Sequence, residues 1–177
     1  MDLRVGAQGK LGVETPGQRR WLEFNLSHSQ GRVLFAFSRE IPLGIDLESV
    51  RPVRDKESLV RRFFSPAEAS AFLALPASRR LDAFYIGWTR KEAFVKAKGT
   101  GLSFGLSSFD VTLTPGSGAC LLRTRYDEAD VNNWSLSDID AGAGYRAALA
   151  LRVGAEKVVS RHWMEIEDHS FRERPLT

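Results

Sequence analysis

Trp88, Glu92 and Lys96 recur at helical spacing within YIGWTRKEAFVKAKGTG (Tyr85–Gly101), and Asp46 and Glu48 alternate with Ile45 and Leu47 within GIDLE (Gly44–Glu48). Residues four apart on a helix share one stripe, and residues two apart on a strand share one face. Three carboxylates and an ammonium on two rigid elements suit a Mg²⁺ site that handles phosphate, because Mg²⁺ is a hard cation that takes oxygen ligands. If the two elements converge, they make a metal-dependent phosphoryl-type transfer centre; if they do not, the chain is an undistinguished α+β domain. Each piece also has an ordinary reading. Asp46 and Glu48 repel one another and are tolerated on a solvated sheet face or around a cation. Glu92 and Lys96 are placed to form an exposed i,i+4 ion pair worth about 0.3–0.5 kcal/mol. Trp88, one turn earlier, turns this stripe toward protein or ligand, whereas Arg90 and Lys91 lie off it and are expected in solvent or facing a protein partner.

Ser27-His28-Ser29 ends a strand-like run just before Gly31. An imidazole and two hydroxyls there can donate to phosphate oxygens, or they form an ordinary polar strand end. No partner completes a Ser-His-Asp triad. Gly99-Thr100-Gly101 follows a helix instead of opening one, so it reads as a helix C-cap and not as a phosphate-cradling loop.

The elements that must position these residues follow from periodicity and punctuation. Residues 1–20 are rich in glycine and polar residues and read as loop. Strands are expected over Glu23–Ser29 and Arg32–Ser38 around a Gln30-Gly31 turn, then over Leu43–Ser49 after Pro42. A short helix with a basic side is expected over Arg54–Phe64. Ser65-Pro66-Ala67-Glu68 opens another with Ser as N-cap, Pro at N1 and Glu at N3, and it stops at Pro76. The longest helix spans Arg79–Lys98 and is capped by Gly99. Strands follow at Ser108–Thr114, Ala119–Arg125, Asn133–Ile139 and Tyr145–Val153. From Arg161 the tail is charged and lacks a core pattern; His162 and His169 fall within it, with no assigned role.

With 177 residues and 43% hydrophobic content, the chain is sized for one domain or two small lobes. Its formal charge of +3 comes from scattered basic residues, which gives no support for nucleic acid. Cys120 is the sole cysteine, which rules out an internal disulfide and a Cys-rich metal site and fits a reducing, cytoplasmic setting. No apolar run reaches bilayer-spanning length and no signal core opens the chain, so neither a membrane nor export is expected.

Four segments in register, FNLSHS (Phe24–Ser29), GIDLE with Val50-Arg51-Pro52, FFSPAEA (Phe63–Ala69) and WTRKEAFVKAKGTGL (Trp88–Leu102), resemble the Sfp-type 4′-phosphopantetheinyl transferase family. The resemblance implies an α+β fold with pseudo-twofold symmetry, the active site lying between two similar halves. It implies Mg²⁺, coenzyme A as co-substrate, and transfer of the 4′-phosphopantetheine arm to a serine of an acyl or peptidyl carrier protein with release of adenosine 3′,5′-bisphosphate. By matching position, Asp46, Glu48 and Glu92 are the metal-side carboxylates. Glu92 also helps to deprotonate the carrier serine, and Lys96 steadies the pyrophosphate. Ser27 and His28 match residues contacting coenzyme A phosphate. Lys10 matches the lysine of a Gly-Lys-Pro segment near the nucleotide, with Leu11 in place of the proline.

On this resemblance the second half is complete and most of the first half is absent: residues 1–42 are a remnant of the N-terminal half, 43–160 the C-terminal half and 161–177 a charged tail. Missing strands would expose a sheet edge. Arg51, Arg54, Lys56, Arg61 and Arg62 are expected to form a basic docking surface for the acidic carrier. The alternative is a carrier-protein-binding remnant without catalysis. A Mg²⁺ nuclease is disfavoured, because Ser49 and Val50 follow Glu48 where such a site places its lysine.

Overall fold

The computed structural model describes residues 2–5, 11–14, 21–99, 105–153, 162–166 and 170–174, with side chains over 22–99 and 105–153. Lys10 and His169 lie outside the described residues. The architecture is α+β. β1 (Asp2–Val5), β2 (Leu11–Glu14), β3 (Trp21–Ser29) and β4 (Arg32–Arg39) form an antiparallel sheet in that order. β5 (Leu43–Ser49) pairs with β9 (Tyr145–Arg152), which pairs on its other side with β8 (Trp134–Asp138). Between β5 and β9 come α1 (Lys56–Phe63), α2 (Pro66–Ala74), α3 (Ala77–Lys98), and a ribbon of β6 (Phe109–Val111) and β7 (Leu121–Thr124). β10 (His162–Ile166) and β11 (Ser170–Arg174) make a C-terminal hairpin.

Local chemistry accounts for most boundaries. The β3–β4 turn places Gln30 at φ 45 and Gly31 at φ 77, a left-handed pair that matches strand twist in a two-residue hairpin. Ser65 and Glu68 exchange the two hydrogen bonds of a capping box, with Pro66 at the first helical position. α3 ends at Gly99, whose φ of 70 lets its N–H reach back to the carbonyls of Val95 and Lys96.

Three expectations are corrected. Residues 1–20 hold β1 and β2, four-residue strands too short for a periodic signal; β2 forms by adding to β3 and β1 by adding to β2. The tail beyond Arg161 includes a paired hairpin. β6 is shorter than Ser108–Thr114, because a register shift at Asp110/Val111 interrupts the ladder and the Thr112 hydroxyl takes the Cys120 N–H.

The core explains where β5 sits. Its Leu43 and Ile45 pack with Leu149 and Leu151, and with Leu34 and Ala36 of β4. Its other face, carrying Gly44, Asp46 and Glu48, meets α3. Ala148 and Ala150, opposite Asp46 and Gly44 in register, are fully buried against Ala93, Phe94 and Ala97. Small residues on both elements bring the helix close. At Gly44 even one carbon would collide with the Ala93 carbonyl oxygen and the Ala97 amide nitrogen. The outer face of β3–β4 exposes Leu26, Val33, Phe35 and Phe37. Among the described residues no helix is long and apolar enough to cross a membrane.

Candidate active site

The close approach of α3 to β5 sets Glu92 and Lys96 over Asp46 and Glu48. Asp46 is 5% exposed, so the D-x-E pair does not lie on a solvated face. Lys96 Nζ is 2.7 Å from Asp46 Oδ1 and also donates to the Ile45 carbonyl at 3.1 Å and to Ser27 Oγ at 3.3 Å. The expected i,i+4 pair with Glu92 is absent among the described residues; the ammonium reaches across to the strand instead.

This arrangement concentrates negative charge. Burial raises the Glu92 carboxyl above the ordinary carboxylate range; Asp46 and Glu48 add to the rise and Lys96 opposes it. Burial and Asp46 raise Glu48, opposed by Ser29, Arg51 and Lys96. Asp46 Oδ2 is buried without a hydrogen-bond partner, and among the described residues no hydrogen bond ties down the Glu92 carboxylate. As the side chains stand, no three acidic, histidine or cysteine groups among the described residues are gathered into an ion-holding cluster, and the Lys96 ammonium takes Asp46 Oδ1. The donor set still fits a divalent ion: hard carboxylate oxygens, one of them buried and unpartnered, and two carboxyls whose mutual repulsion a cation would relieve.

Ser27 lies inside the site and His28 does not. Ser27 is 7% exposed and donates to Asp46 Oδ1 at 3.1 Å. His28 is exposed, on the opposite face of β3 as alternation requires. Trp88 packs against Phe63, Phe64 and Phe84, with ring centroids 5.7–6.5 Å apart, so that end of the stripe faces protein. Arg51, Arg54, Arg61 and Arg62 are exposed and Lys56 is half-buried.

Arg90 and Lys91 correct the expectation of solvent: they are 1% and 0% exposed. Arg90 makes a two-pronged pair with Asp138 and donates to the Thr112 and Ser117 carbonyls. Lys91 bonds Glu68 at 2.7 Å and the carbonyls of Leu106 and Phe109. Asn25 and Glu68 also went unassigned by sequence reasoning. Asn25 Oδ1 accepts the Ile45 N–H at 2.9 Å, and its signal was the polar alternation N-x-S-x-S in a strand that must bury one face. Glu68 was legible as a cap but not as the acceptor of the Val111 N–H at 2.7 Å.

A family profile described as the 4′-phosphopantetheinyl transferase superfamily matches residues 42–150. The 4′-phosphopantetheinyl transferase HetI of Nostoc sp. is 44% identical over 67% of this chain and 57% of its own length. The 4′-phosphopantetheinyl transferase Sfp of Bacillus subtilis is 43% identical over 51% of this chain and 39% of its own. The 4′-phosphopantetheinyl transferase AcpT of Salmonella typhi is 40% identical over 63% of this chain and 56% of its own. The chain thus spans about half the length of the curated relatives it matches.

Proposed function

Because the chain belongs to the 4′-phosphopantetheinyl transferase superfamily, we propose that it moves the 4′-phosphopantetheine arm of coenzyme A to a serine hydroxyl of an acyl or peptidyl carrier protein in the cytoplasm. Adenosine 3′,5′-bisphosphate leaves, and Mg²⁺ is the cation. The observation that carries this reading is the placement of Glu92 and Lys96 of α3 over Asp46 and Glu48 of β5.

Asp46, Glu48 and Glu92 would hold the ion; bound there, it neutralises charge on pyrophosphate oxygens. Glu92 takes the proton of the carrier serine, directly or through water, as that oxygen bonds to phosphorus and the bond to the bisphosphate breaks. The Lys96 ammonium offsets the charge of the departing bisphosphate. His28, exposed at the end of β3, and Lys10 remain the candidates for the coenzyme A phosphates. Residues 43–160 then act as the catalytic half, with β3 of segment 1–42 closing the site and 161–177 outside it. The exposed arginines 51, 54, 61 and 62 form a basic surface suited to steering an acidic carrier.

Intact-mass measurement tests this directly. The chain, coenzyme A, Mg²⁺ and a panel of apo carrier proteins should yield carriers heavier by one phosphopantetheine, and EDTA should abolish the gain. Carrier binding without transfer by the folded chain would return the non-catalytic alternative.

A further inference from the structure

We infer that Ser27 and Ser29 are positioning residues that set the two strand carboxylates. The inference rests on reading the acidic centre as an ion and phosphate site. It starts from an inventory of one hydroxyl. A serine Oγ has a single proton to donate and two lone pairs with which to accept. Ser27 Oγ donates to Asp46 Oδ1 at 3.1 Å and accepts the Leu47 N–H at 3.1 Å and the Lys96 ammonium at 3.3 Å. Every capacity is used, in a residue 7% exposed. In this arrangement the Ser27 proton is committed to the Asp46 carboxylate, which leaves the hydroxyl holding a metal-side group in place.

The same pattern repeats one pleat along. Ser29 Oγ accepts the Ser49 N–H at 3.0 Å and donates to Glu48 Oε2 at 3.4 Å. One pleat earlier, Asn25 Oδ1 accepts the Ile45 N–H. β5 is the edge of its three-stranded sheet, and alternate side chains of β3 replace a neighbouring strand along that edge. In each serine one oxygen holds both a carboxylate and the N–H of the next residue. The carboxylate is thereby locked to the backbone that carries it, and the register of β3 against β5 decides which oxygens remain free. At Asp46 the result is that Oδ1 is engaged and Oδ2 is left buried and unpartnered. A partner that orients a ligand in this way typically contributes about 10–100-fold to metal affinity or activity.

The test compares the full chain with Ser27→Ala, Ser27→Thr and Ser29→Ala. Mn²⁺ binding is followed by the electron paramagnetic resonance signal of the free ion, without coenzyme A. kcat and the KM for coenzyme A are measured separately on a carrier protein. Positioning predicts that Ser27→Ala weakens Mn²⁺ binding and lowers kcat by about tenfold each, with KM for coenzyme A unchanged within about twofold. Ser27→Thr, which keeps the hydroxyl, should restore both, and Ser29→Ala, at the end of β3, should weaken Mn²⁺ binding less. A raised KM for coenzyme A with unchanged Mn²⁺ binding would identify a phosphate ligand and overturn the inference. So would Ser27→Ala and Ser29→Ala proteins indistinguishable from the parent. Should Ser27→Ala not fold, Ser29→Ala alone decides, by whether Mn²⁺ binding falls. Failure of the parent chain itself to bind Mn²⁺ would overturn the reading of the centre along with the inference, an outcome distinct from the others.

Discussion

Lys96 Nζ stands 2.7 Å from Asp46 Oδ1, an ion pair between helix and strand across 50 positions of sequence. Its consequence is that the acidic centre carries its own counter-ion. Three carboxylates repel; one lysine, itself 29% exposed, lies against the most buried of them. A divalent ion entering the centre competes with that ammonium for Oδ1. Lys96→Met should therefore bind Mn²⁺ more tightly than the parent, melt at a lower temperature without metal, and lose turnover by about 100-fold or more as the positive charge at the leaving group disappears. Mn²⁺ titration, thermal melts and mass-detected transfer check the three parts. Weaker Mn²⁺ binding in the variant would contradict the competition.

The raised carboxyls of Glu48 and Glu92 fix the sign of a pH dependence. For an acid whose folded-state pKa lies above its unfolded value, the folded state holds the proton more tightly. The contribution to stability is fully present below the unfolded pKa and is lost as pH rises through the folded one. Both shifts run upward, so the metal-free protein should gain stability from these groups as pH falls from neutral toward the ordinary carboxylate range. Glu92→Gln should raise the metal-free melting temperature at neutral pH, flatten its pH dependence, and abolish transfer. Melts at several pH values in EDTA check this; a lower melting temperature for the variant at neutral pH would show that Glu92 stabilises the fold as a carboxylate.

What could be read before any fold was available, and what could not, divides along the same physics. β5 matches its expected bounds at Leu43–Ser49, and α3 ends at Gly99 as its cap requires, because alternation and capping are local signals. Arg90 and Lys91 defeated sequence reasoning because α3 has no broad solvated face: β5 and β9 pack on it, as do α1, α2 and the β6 region. Charges that a helical projection sends to water are instead met by Asp138, Glu68 and loop carbonyls. Ser27 and Ser29 read as a polar strand end because the backbone N–H groups they meet lie 20 positions away; the N-x-S-x-S alternation marks a polar face of β3 but not its partners, among them the Ile45 N–H that Asn25 meets.

Gly44 gives a sharper test of the geometry. It has no unusual φ, so its glycine is required by space alone: α3 lies where a Cβ would go. Gly44→Ala must push the helix off the strand that carries Asp46, which costs about 3 kcal/mol, the upper end for overpacking a filled core. Because the displaced turn bears Lys96, transfer should fall even where the variant remains folded. Denaturant unfolding gives the first quantity and turnover of the folded fraction the second. An alanine tolerated at full stability would mean that α3 does not approach β5 so closely.

Lys91 separates structure from chemistry on the same helix. It is buried, with Glu68 at 2.7 Å, and its ammonium lies 4.2 Å from the centre of the Phe109 ring. Burial pushes the lysine pKa down and the Glu68 pKa up, each opposed by the other's charge. Lys91→Ala strips Glu68 of its counter-charge while leaving it tied to the Ser65 and Val111 amides. Removing one partner of such a pair costs about 3–5 kcal/mol. Replacing both, as Lys91→Met with Glu68→Gln, leaves no charge unmatched but keeps an acceptor for only one of the two amides, so part of the loss should be recovered. A thermodynamic cycle over the two singles and the double checks this. A double variant no more stable than Lys91→Met alone would mean that the ion pair with its hydrogen bonds, and not the avoidance of a lone buried charge, holds α2 against α3.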